Sequence, residues 1–247
     1  MIEFIQKIAM FIWNAIRDFG LGFADDFKRN FITDNRWKYI VDGLETTLLV
    51  TFLALVLGVA LGFLVAIIRA THDKTNKLKV FNAICNLYIT VIRGTPVVVQ
   101  LLIIYYVIFA SVNVDKVFVA VMAFGLNSGA YVAEIVRSGI MAVDEGQFEA
   151  GRSLGFNYVQ TMVYIVMPQA FKNILPALGN EFIVLLKETS VAGYVALQDL
   201  TKGGDIIRSR TYSYMPLIAT ALIYLVMVIG FSKLLGILER RLRNSER

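Results

Sequence analysis

Long apolar segments alternate with shorter polar ones along most of the chain, and this pattern predicts five membrane-spanning helices. A helix needs about 20 mainly apolar residues to cross a bilayer. Four segments reach this length, at residues 44–68, 116–136, 174–196 and 217–238, and a further one ends near Phe109. Its start lies between Val80 and Gly94, because Gly94 and Pro96 favour a kink or a helix restart at that point.

Residues 1–40 precede the first span and are predicted to form a separate amphipathic arm. Apolar residues recur there at helical spacing, with polar residues opposite: Phe4, Ile5, Ile8, Phe11, Ile12, Ala15, Ile16 and Phe19. Such a helix lies in the membrane interface or packs on a partner, and we favour the interface. Residues 41–243 then form one transmembrane domain. Residues 1–34 are expected to be dispensable for the activity of this domain.

A polar stretch at 144–168, between the third and fourth spans, predicts two short helices joined by a tight turn. Each helix begins with the spacing of a capping box, formed by Asp144 with Gln147 and by Asn157 with Gln160. Gly155 lies between the two helices, where a left-handed residue commonly ends a helix. Pro168 is expected to close the second helix before the fourth span.

Composition confirms a membrane class and removes several kinds of function. Apolar residues make up 57% of the chain, more than a soluble domain of this size could cover. One cysteine and one histidine exclude a disulfide framework and a metal site with several Cys or His ligands. The chain has no G-x4-GK[ST] run, so we expect no nucleotide site and no catalytic residue of its own. The net charge of +5 is modest and fits a bilayer surface, and no nucleic-acid partner is expected.

The positions of the basic residues predict how the chain crosses the membrane. The first loop between spans is basic, the second is not, and the C-terminus is again basic, through Arg69, Lys74, Lys77, Lys79, Arg240, Arg241, Arg243 and Arg247. The positive-inside rule then places the N-terminus outside and both the 137–173 loop and the C-terminus in the cytoplasm. The basic residues of the 197–216 loop oppose this bias. The chain is thus predicted to be a multi-pass membrane protein.

Polar side chains inside the predicted spans are candidates for a substrate pathway, because ionisable groups in lipid are costly. Glu181, Lys187 and Glu188 lie in the fourth span. Asn127 and Tyr131 share one helical face of the third span with Glu134, which is expected to pair with Arg137. Together these faces could meet both charges of a zwitterion. Arg93 could contact the same substrate or could instead snorkel to the cytoplasmic interface. In the alternative interpretation, Glu181 and Lys187 neutralise each other or a neighbour and only fix helix packing.

Glu149, Ala150, Gly155, Ile165 and Pro168 fall on the spacing EAA-x3-G-x9-I-x-L-P, with Gly151 in place of the second Ala and Met167 in place of Leu. The stretches RGTPVVVQL (93–101), NSGAYVAEIVRSGI (127–140), GQFEAGRSLG (146–155) and LPALGNEFIVLLKETSV (175–191) accompany this motif. In these stretches the chain resembles the permeases of polar-amino-acid ABC importers, of the histidine, glutamine and arginine type. The resemblance covers about residues 40–243. Because Ala is usual at position 151, Gly151→Ala is expected to be tolerated.

This resemblance implies an all-α permease fold of the type I, MetI-like kind, with five spans and a cytoplasmic coupling hairpin. It implies that Glu149, Ala150, Gly151, Arg152 and Gly155 contact an ABC ATPase. Two ATPase copies would bind ATP and Mg, while this chain would hold no cofactor. A second permease chain, as homodimer or heterodimer, and an extracytoplasmic solute-binding protein that delivers a polar amino acid would complete the importer. The resemblance also implies a location in a prokaryotic plasma (inner) membrane.

A stand-alone secondary transporter or channel driven by an ion gradient is the alternative to an ATP-driven importer, since intramembrane Glu and Lys would serve it as well. The cytoplasmic hairpin has no evident use in such a protein, and no inverted repeat with broken helices is visible in the sequence. Neither the identity of the amino acid nor the choice between homodimer and heterodimer follows from the residues.

Overall fold

The computed structural model describes residues 22–244, and these residues fold into helices without any β-strand. The α-helices that follow the first pre-span turns are α1 (Trp37–Thr75), α2 (Lys79–Arg93), α3 (Val97–Ile103), α4 (Lys116–Met141), α5 (Glu145–Ser153), α6 (Tyr158–Thr161), α7 (Met167–Glu188), α8 (Leu200–Thr211) and α9 (Met215–Asn244). Two short turns, π and 3-10, precede α1 at Lys28–Ile32 and Thr33–Asn35. Three more follow α3, α6 and α7, at Ile104–Ile108, Met162–Val166 and Thr189–Val195. The helix predicted from Phe4 to Phe19 lies outside the described residues.

The predicted spans are all helical, but they differ in how strongly they qualify as spans. Within the described residues, α1, α4 and α9 are each long and apolar enough to cross a membrane. The segment from Lys79 to Ile108 passes the same test as a pair of helices bent by 107°, which confirms the predicted break at Gly94 and Pro96. The predicted fourth span corresponds to α7, which has 22 residues. It carries Lys172, Glu181, Lys187 and Glu188, so it is markedly more polar than the other spans.

The core of the molecule forms where α1 crosses α4. An added Cβ on Gly58 would lie 2.9 Å from Ser128 Cβ, so the two backbones approach as closely as only small residues allow. Apolar side chains of α3, α4 and α7 pack beside this crossing, among them Leu101, Phe124 and Leu185, which are fully buried. In contrast, the most apolar window of α9 is not buried within the chain, which leaves that helix a free apolar surface.

Two predicted helix ends are wrong. Residues 174–196 were expected to form one span, but α7 begins earlier, at Met167, and ends at Glu188, where a 3-10 turn follows. Pro168 does not close a helix, because it lies in the first turn of α7. The wide π turn Met162–Val166 ends with the N–H of Met167 bonded to the carbonyl of Met162. Proline fits directly after this turn, since the first turn of a helix needs no donor from it.

The 197–216 segment, expected to be a loop, contains the helix α8. Asp199 caps it by accepting hydrogen bonds from the backbone N–H groups of Thr201 and Lys202, both at 3.1 Å. The segment before α1 packs on this helix: Phe31 is buried with Leu200 and other apolar residues in one cluster. The described part of the pre-span segment therefore belongs to the folded body.

Candidate functional site

The hairpin between α4 and α7 has the geometry that its sequence predicts. Gly155 has φ +83°, in the left-handed region, and it follows directly on the end of α5. Asn157 and Gln160 form a reciprocal capping box at the start of α6, with both hydrogen bonds at 2.9 Å. The turn is thus fixed by local backbone preferences and by two side-chain bonds, which makes the hairpin a stiff projection.

The predicted box at the start of α5 is only half formed. Asp144 accepts a hydrogen bond from the backbone N–H of Gly146 at 2.7 Å, as a capping residue does. Gln147 instead accepts a weak hydrogen bond, at 3.4 Å, from the side-chain amide of Gln169 on α7. The base of the hairpin is therefore also linked to the helix that follows it.

Four of the five residues predicted to contact an ATPase lie on the exposed surface of this hairpin: Glu149, Ala150, Arg152 and Gly155. The fifth, Gly151, is buried against α6, so its role is to let the two short helices approach each other. Apolar side chains stand beside the exposed set: Leu154 is 72% exposed and Val159 is 65% exposed. The motif spacing did not single out Leu154 or Val159, although apolar residues at a polar turn are a signal for a docking surface.

A layer of buried polar side chains connects three helices in the middle of the fold. The hydroxyl of Ser128 on α4 donates a 2.8 Å hydrogen bond to the carboxylate of Glu181 on α7. The next residue, Asn127, donates from its side-chain amide to Gln100 on α3, at 3.1 Å. Glu181 is 8% exposed and Asn127 is 3% exposed. The structure therefore brings Glu181 and Asn127 to one level and adds Ser128 and Gln100, which the sequence analysis did not select.

A second polar cluster lies further along α4. Tyr131 carries the guanidinium of Arg93 over its ring, at 5.2 Å from the centroid. Glu134 pairs with Arg69 of α1 and lies 3.8 Å from Arg93, so its expected pairing with Arg137 is wrong. Arg137 instead pairs with Asp73 at 3.2 Å. Two guanidinium groups from neighbouring helices reach Glu134, which a prediction from spacing along one helix could not include.

Lys187 and Glu188, the other candidates, lie about two turns beyond Glu181 on the same helix, and Glu188 is close enough to Glu181 for their charges to interact. Lys187 is exposed and Glu188 is partly exposed. Among the described residues, Lys187 makes no ion pair with Glu181, whose hydrogen-bond partner is Ser128. The arrangement therefore presents one buried carboxylate, two amides and a hydroxyl at one depth, a set that can hydrogen-bond a polar solute and attract an ammonium group.

Comparison with known proteins gives this geometry a context. Residues 58–244 match the family described as binding-protein-dependent transport system inner membrane component. The chain is 39% identical over 207 residues to the putative glutamine transport system permease protein GlnP of Rickettsia prowazekii, covering 83% of this chain and 93% of that one. It is 37% identical over 211 residues to the arginine transport system permease protein ArtQ of Bacillus subtilis, covering 84% and 94%.

Solved structures show the same fold. An amino acid ABC transporter crystallised with histidines superimposes with a TM-score of 0.77 at 46% sequence identity, over 85% of this chain and 98% of that one. The MetNI methionine ABC transporter in an inward-facing conformation gives a TM-score of 0.71 at 17% identity, over 83% and 97%. The second likeness is one of fold, and it shows that the helix arrangement described above is a known permease architecture.

Proposed function

The chain belongs to the family of binding-protein-dependent transport system inner membrane components, and on this premise we propose that it is the permease subunit of an ATP-driven amino-acid importer. The observation that carries the proposal is the stiff hairpin α5–α6, which projects exposed apolar and charged side chains from a chain of this family. A projection with that surface suits docking into a cleft of a separate motor subunit.

The hairpin is the element through which ATP hydrolysis would act on the spans. Its exposed surface includes Glu149, Ala150, Arg152 and Gly155. Gly151 has no side chain and so allows the two helices of the hairpin to pack closely. Two ATPase subunits would bind ATP and Mg, so this chain needs no nucleotide site. Because α6 continues through a π turn into α7, a displacement of the hairpin would be transmitted to the helix that carries Glu181.

The transported solute is a polar amino acid, handed over by an extracytoplasmic solute-binding protein. Relatives of this chain are named for glutamine and arginine transport, two solutes that share the amino-acid backbone and a polar side chain. Glu181 is suited to attract the ammonium group, and Asn127 to hydrogen-bond along the pathway. Lys187, Glu188, Tyr131 and Arg93 remain candidates for contacts nearer its two ends.

A second permease chain completes the pathway, since the apolar surfaces of α2 and α9 are left open within one chain. Lipid covers whatever the partner does not. The N-terminus of α1 and the helix α8 face the outside, while the hairpin and the C-terminus face the cytoplasm. The basic residues of the first loop and of the C-terminal end support this orientation.

Reconstitution tests the proposal. The chain is placed in liposomes with its ATPase, a second permease copy and the binding protein, and uptake of labelled glutamine, arginine and histidine is measured with and without ATP. We expect uptake only in the complete system with ATP, and no ATP hydrolysis by this chain in isolation. Uptake by the chain without an ATPase, driven by a proton or amino-acid gradient, would instead identify a secondary transporter.

A further inference from the structure

The span from Lys79 to Ile108 is interrupted between Arg93 and Val97, where its direction changes by 107°. Pro96 has an extended backbone (ψ 136°) and no N–H, so the helical hydrogen-bond ladder stops there. Carbonyl groups before the break then lack their usual donors. In a membrane each unsatisfied carbonyl is costly, so a break of this kind needs donors from elsewhere in the protein.

The hydroxyl of Thr95 donates to the carbonyl of Val91 at 2.8 Å, and the side chain of Gln100 supplies the donor for two further carbonyls. Its amide nitrogen lies 2.7 Å from the carbonyl of Ile92, 3.0 Å from the carbonyl of Thr95 and 2.8 Å from the hydroxyl of Thr95. Ile92 belongs to α2 and Gln100 to α3, so this one side chain spans the break. Gln100 is 8% exposed, which leaves little room for water to make the same bonds.

The other end of the same amide joins the broken span to α4. The oxygen of Gln100 accepts the 3.1 Å hydrogen bond from Asn127, and the neighbouring Ser128 donates to Glu181 of α7. One turn of α4 is thus bonded to α3 on one side and to α7 on the other. Apolar side chains of α3 and α4 also pack against each other, for example Leu101 in the cluster with Phe124.

A second link lies nearer the surface, through Arg93. Its guanidinium covers the ring of Tyr131 and is 3.8 Å from Glu134, but the Arg93 side chain is 42% exposed. Exposed ion pairs contribute little, and this one is longer than a direct hydrogen bond. On the α2 side of the break, the hydroxyl of Tyr88 donates a 2.5 Å hydrogen bond to the carbonyl of Leu126 on α4, and this contact is partly buried. The Gln100–Asn127 bond is the buried side-chain link that joins α3, the part of the span after the break, to α4.

We propose that Gln100 is a positioning residue for transport: it closes the break in the Lys79–Ile108 span and fastens that span to Asn127, and this bond separates when the pathway opens. The inference rests on the proposed function. A hydrogen bond between two neutral amides suits such a link, because it fixes a geometry yet contributes only modestly to stability. Apolar neighbours permit sliding once it is broken.

Reversible cross-linking tests whether the bond must separate. Gln100→Cys and Asn127→Cys are combined in a Cys85→Ala background, which removes the single native cysteine. The complete importer, with partner subunits free of cysteine, is treated with a short bis-methanethiosulfonate reagent. We expect cross-linked complexes to lose at least about tenfold in uptake relative to the untreated double variant, and reduction to restore that level. A monofunctional methanethiosulfonate, which modifies the same thiols without joining them, should lower uptake less.

A complementary measurement removes the link without a cross-linker. Asn127→Leu deletes the bond to α4 but leaves Gln100 bonded across the break. Losing one such bond shifts an equilibrium by about 3- to 10-fold, so ATP hydrolysis in the absence of binding protein should rise by that factor. Val99→Leu, at the exposed neighbouring position, is the matched control and should change nothing.

The outcomes separate this inference from the proposed function. If the wild-type complex shows no ATP-dependent uptake, the proposed function fails. If the wild-type complex shows ATP-dependent uptake and cross-linking does not lower the uptake rate of the double-cysteine variant, the proposed function stands and the role of Gln100 is refuted. A fall of ATP hydrolysis in step with complex yield for Asn127→Leu would also refute it, because that result indicates packing without positioning.

Discussion

Gly151 and Thr161 are in direct contact across the cytoplasmic hairpin: a Cβ added to Gly151 would lie 2.6 Å from Cγ2 of Thr161 and 2.7 Å from its hydroxyl oxygen. Both residues are buried, so neither side can move freely. The usual Ala of the motif therefore does not fit here, and the expectation that Gly151→Ala is tolerated needs revision.

We predict that Gly151→Ala weakens attachment of the ATPase. The added methyl group should force α5 away from α6. Overpacking of this kind typically destabilises a protein by about 1–3 kcal/mol. Pull-down of the ATPase by the permease, with permease yield measured in parallel, quantifies the effect. The control is the double variant Gly151→Ala with Thr161→Ala, which removes both crowding atoms of the threonine and should recover most of the binding. Normal binding by Gly151→Ala would show that the hairpin tolerates a wider spacing.

The effect of a substitution at Gly155 should depend on how readily the new residue adopts a left-handed backbone conformation. Nothing lies within 4 Å of a Cβ added there, so space does not limit it, but its φ of +83° disfavours most residues by about 1 kcal/mol or more. Gly155→Asn should retain coupling, because asparagine adopts this conformation most readily after glycine. Gly155→Glu adds a bulky charge at the docking surface and should abolish ATPase attachment or uncouple hydrolysis from uptake. Normal transport by Gly155→Glu would remove the hairpin as the coupling element.

Glu181→Gln should impair uptake far more than assembly. The glutamine oxygen can still accept the hydrogen bond from Ser128, so the contact between α4 and α7 survives while the negative charge is lost. We expect uptake to fall by about tenfold or more, with complex yield near that of the wild type. Ser128→Ala serves as the control that removes the hydrogen bond and keeps the charge. If yield falls together with uptake in Glu181→Gln, the carboxylate has only a packing role.

The segment just before α1 should matter for stability. Asn30 is fully buried; its amide donates to the hydroxyl of Ser213 at 3.1 Å, and its oxygen accepts from Thr211 at 2.6 Å. Asn30→Leu removes both of these hydrogen bonds and places an apolar side chain against two hydroxyl groups, which costs about 1–3 kcal/mol. We expect a lower thermal midpoint for this variant and for a deletion of residues 1–34. An unchanged midpoint for Asn30→Leu would contradict a structural role of Asn30.

The stability of the fold should depend on pH through Asp199, the capping residue of α8. Burial raises the pKa of its carboxyl above the ordinary value, and hydrogen bonds from Lys202 and Thr201 offset only part of this effect. A carboxyl whose pKa is raised by folding favours the folded state at low pH, and this contribution is lost as the pH rises through the folded-state pKa. Ionised Asp199 therefore destabilises the fold near neutral pH relative to a neutral cap.

Asp199→Asn separates charge from capping. Asparagine caps helices as well as aspartate but stays neutral, so the variant should be at least as stable as the wild type at about pH 7 to 8 and should lack this term in its pH profile. Asp199→Ala removes the cap and should cost about 0.5–2 kcal/mol. Thermal unfolding of the purified complex between about pH 5 and 8 measures both. A wild type that gains stability over Asp199→Asn as the pH rises would reverse the sign.

The sequence by itself determined the features that depend on local physics. Hydropathy over about 20 residues placed the spans other than α7, whose ends it missed, because the cost of polar groups in lipid acts on each segment separately. Gly94 and Pro96 placed the break in the second span, since proline removes a donor wherever it stands. Gly155 fixed the turn of the hairpin, because a left-handed residue is set by the backbone and needs no distant partner.

Only the tertiary structure decided which side chains meet. Glu134 pairs with Arg69 and not with Arg137, because α1 lies against α4, and a contact between helices far apart in sequence overrides the spacing along one helix. For the same reason Asn127 was recognised as a polar candidate, but its partner Gln100 was not. The room beside Gly151 likewise depends on how closely α5 and α6 approach. Hydropathy and backbone preference act within a few helical turns, whereas partners and clearances arise only when the helices pack.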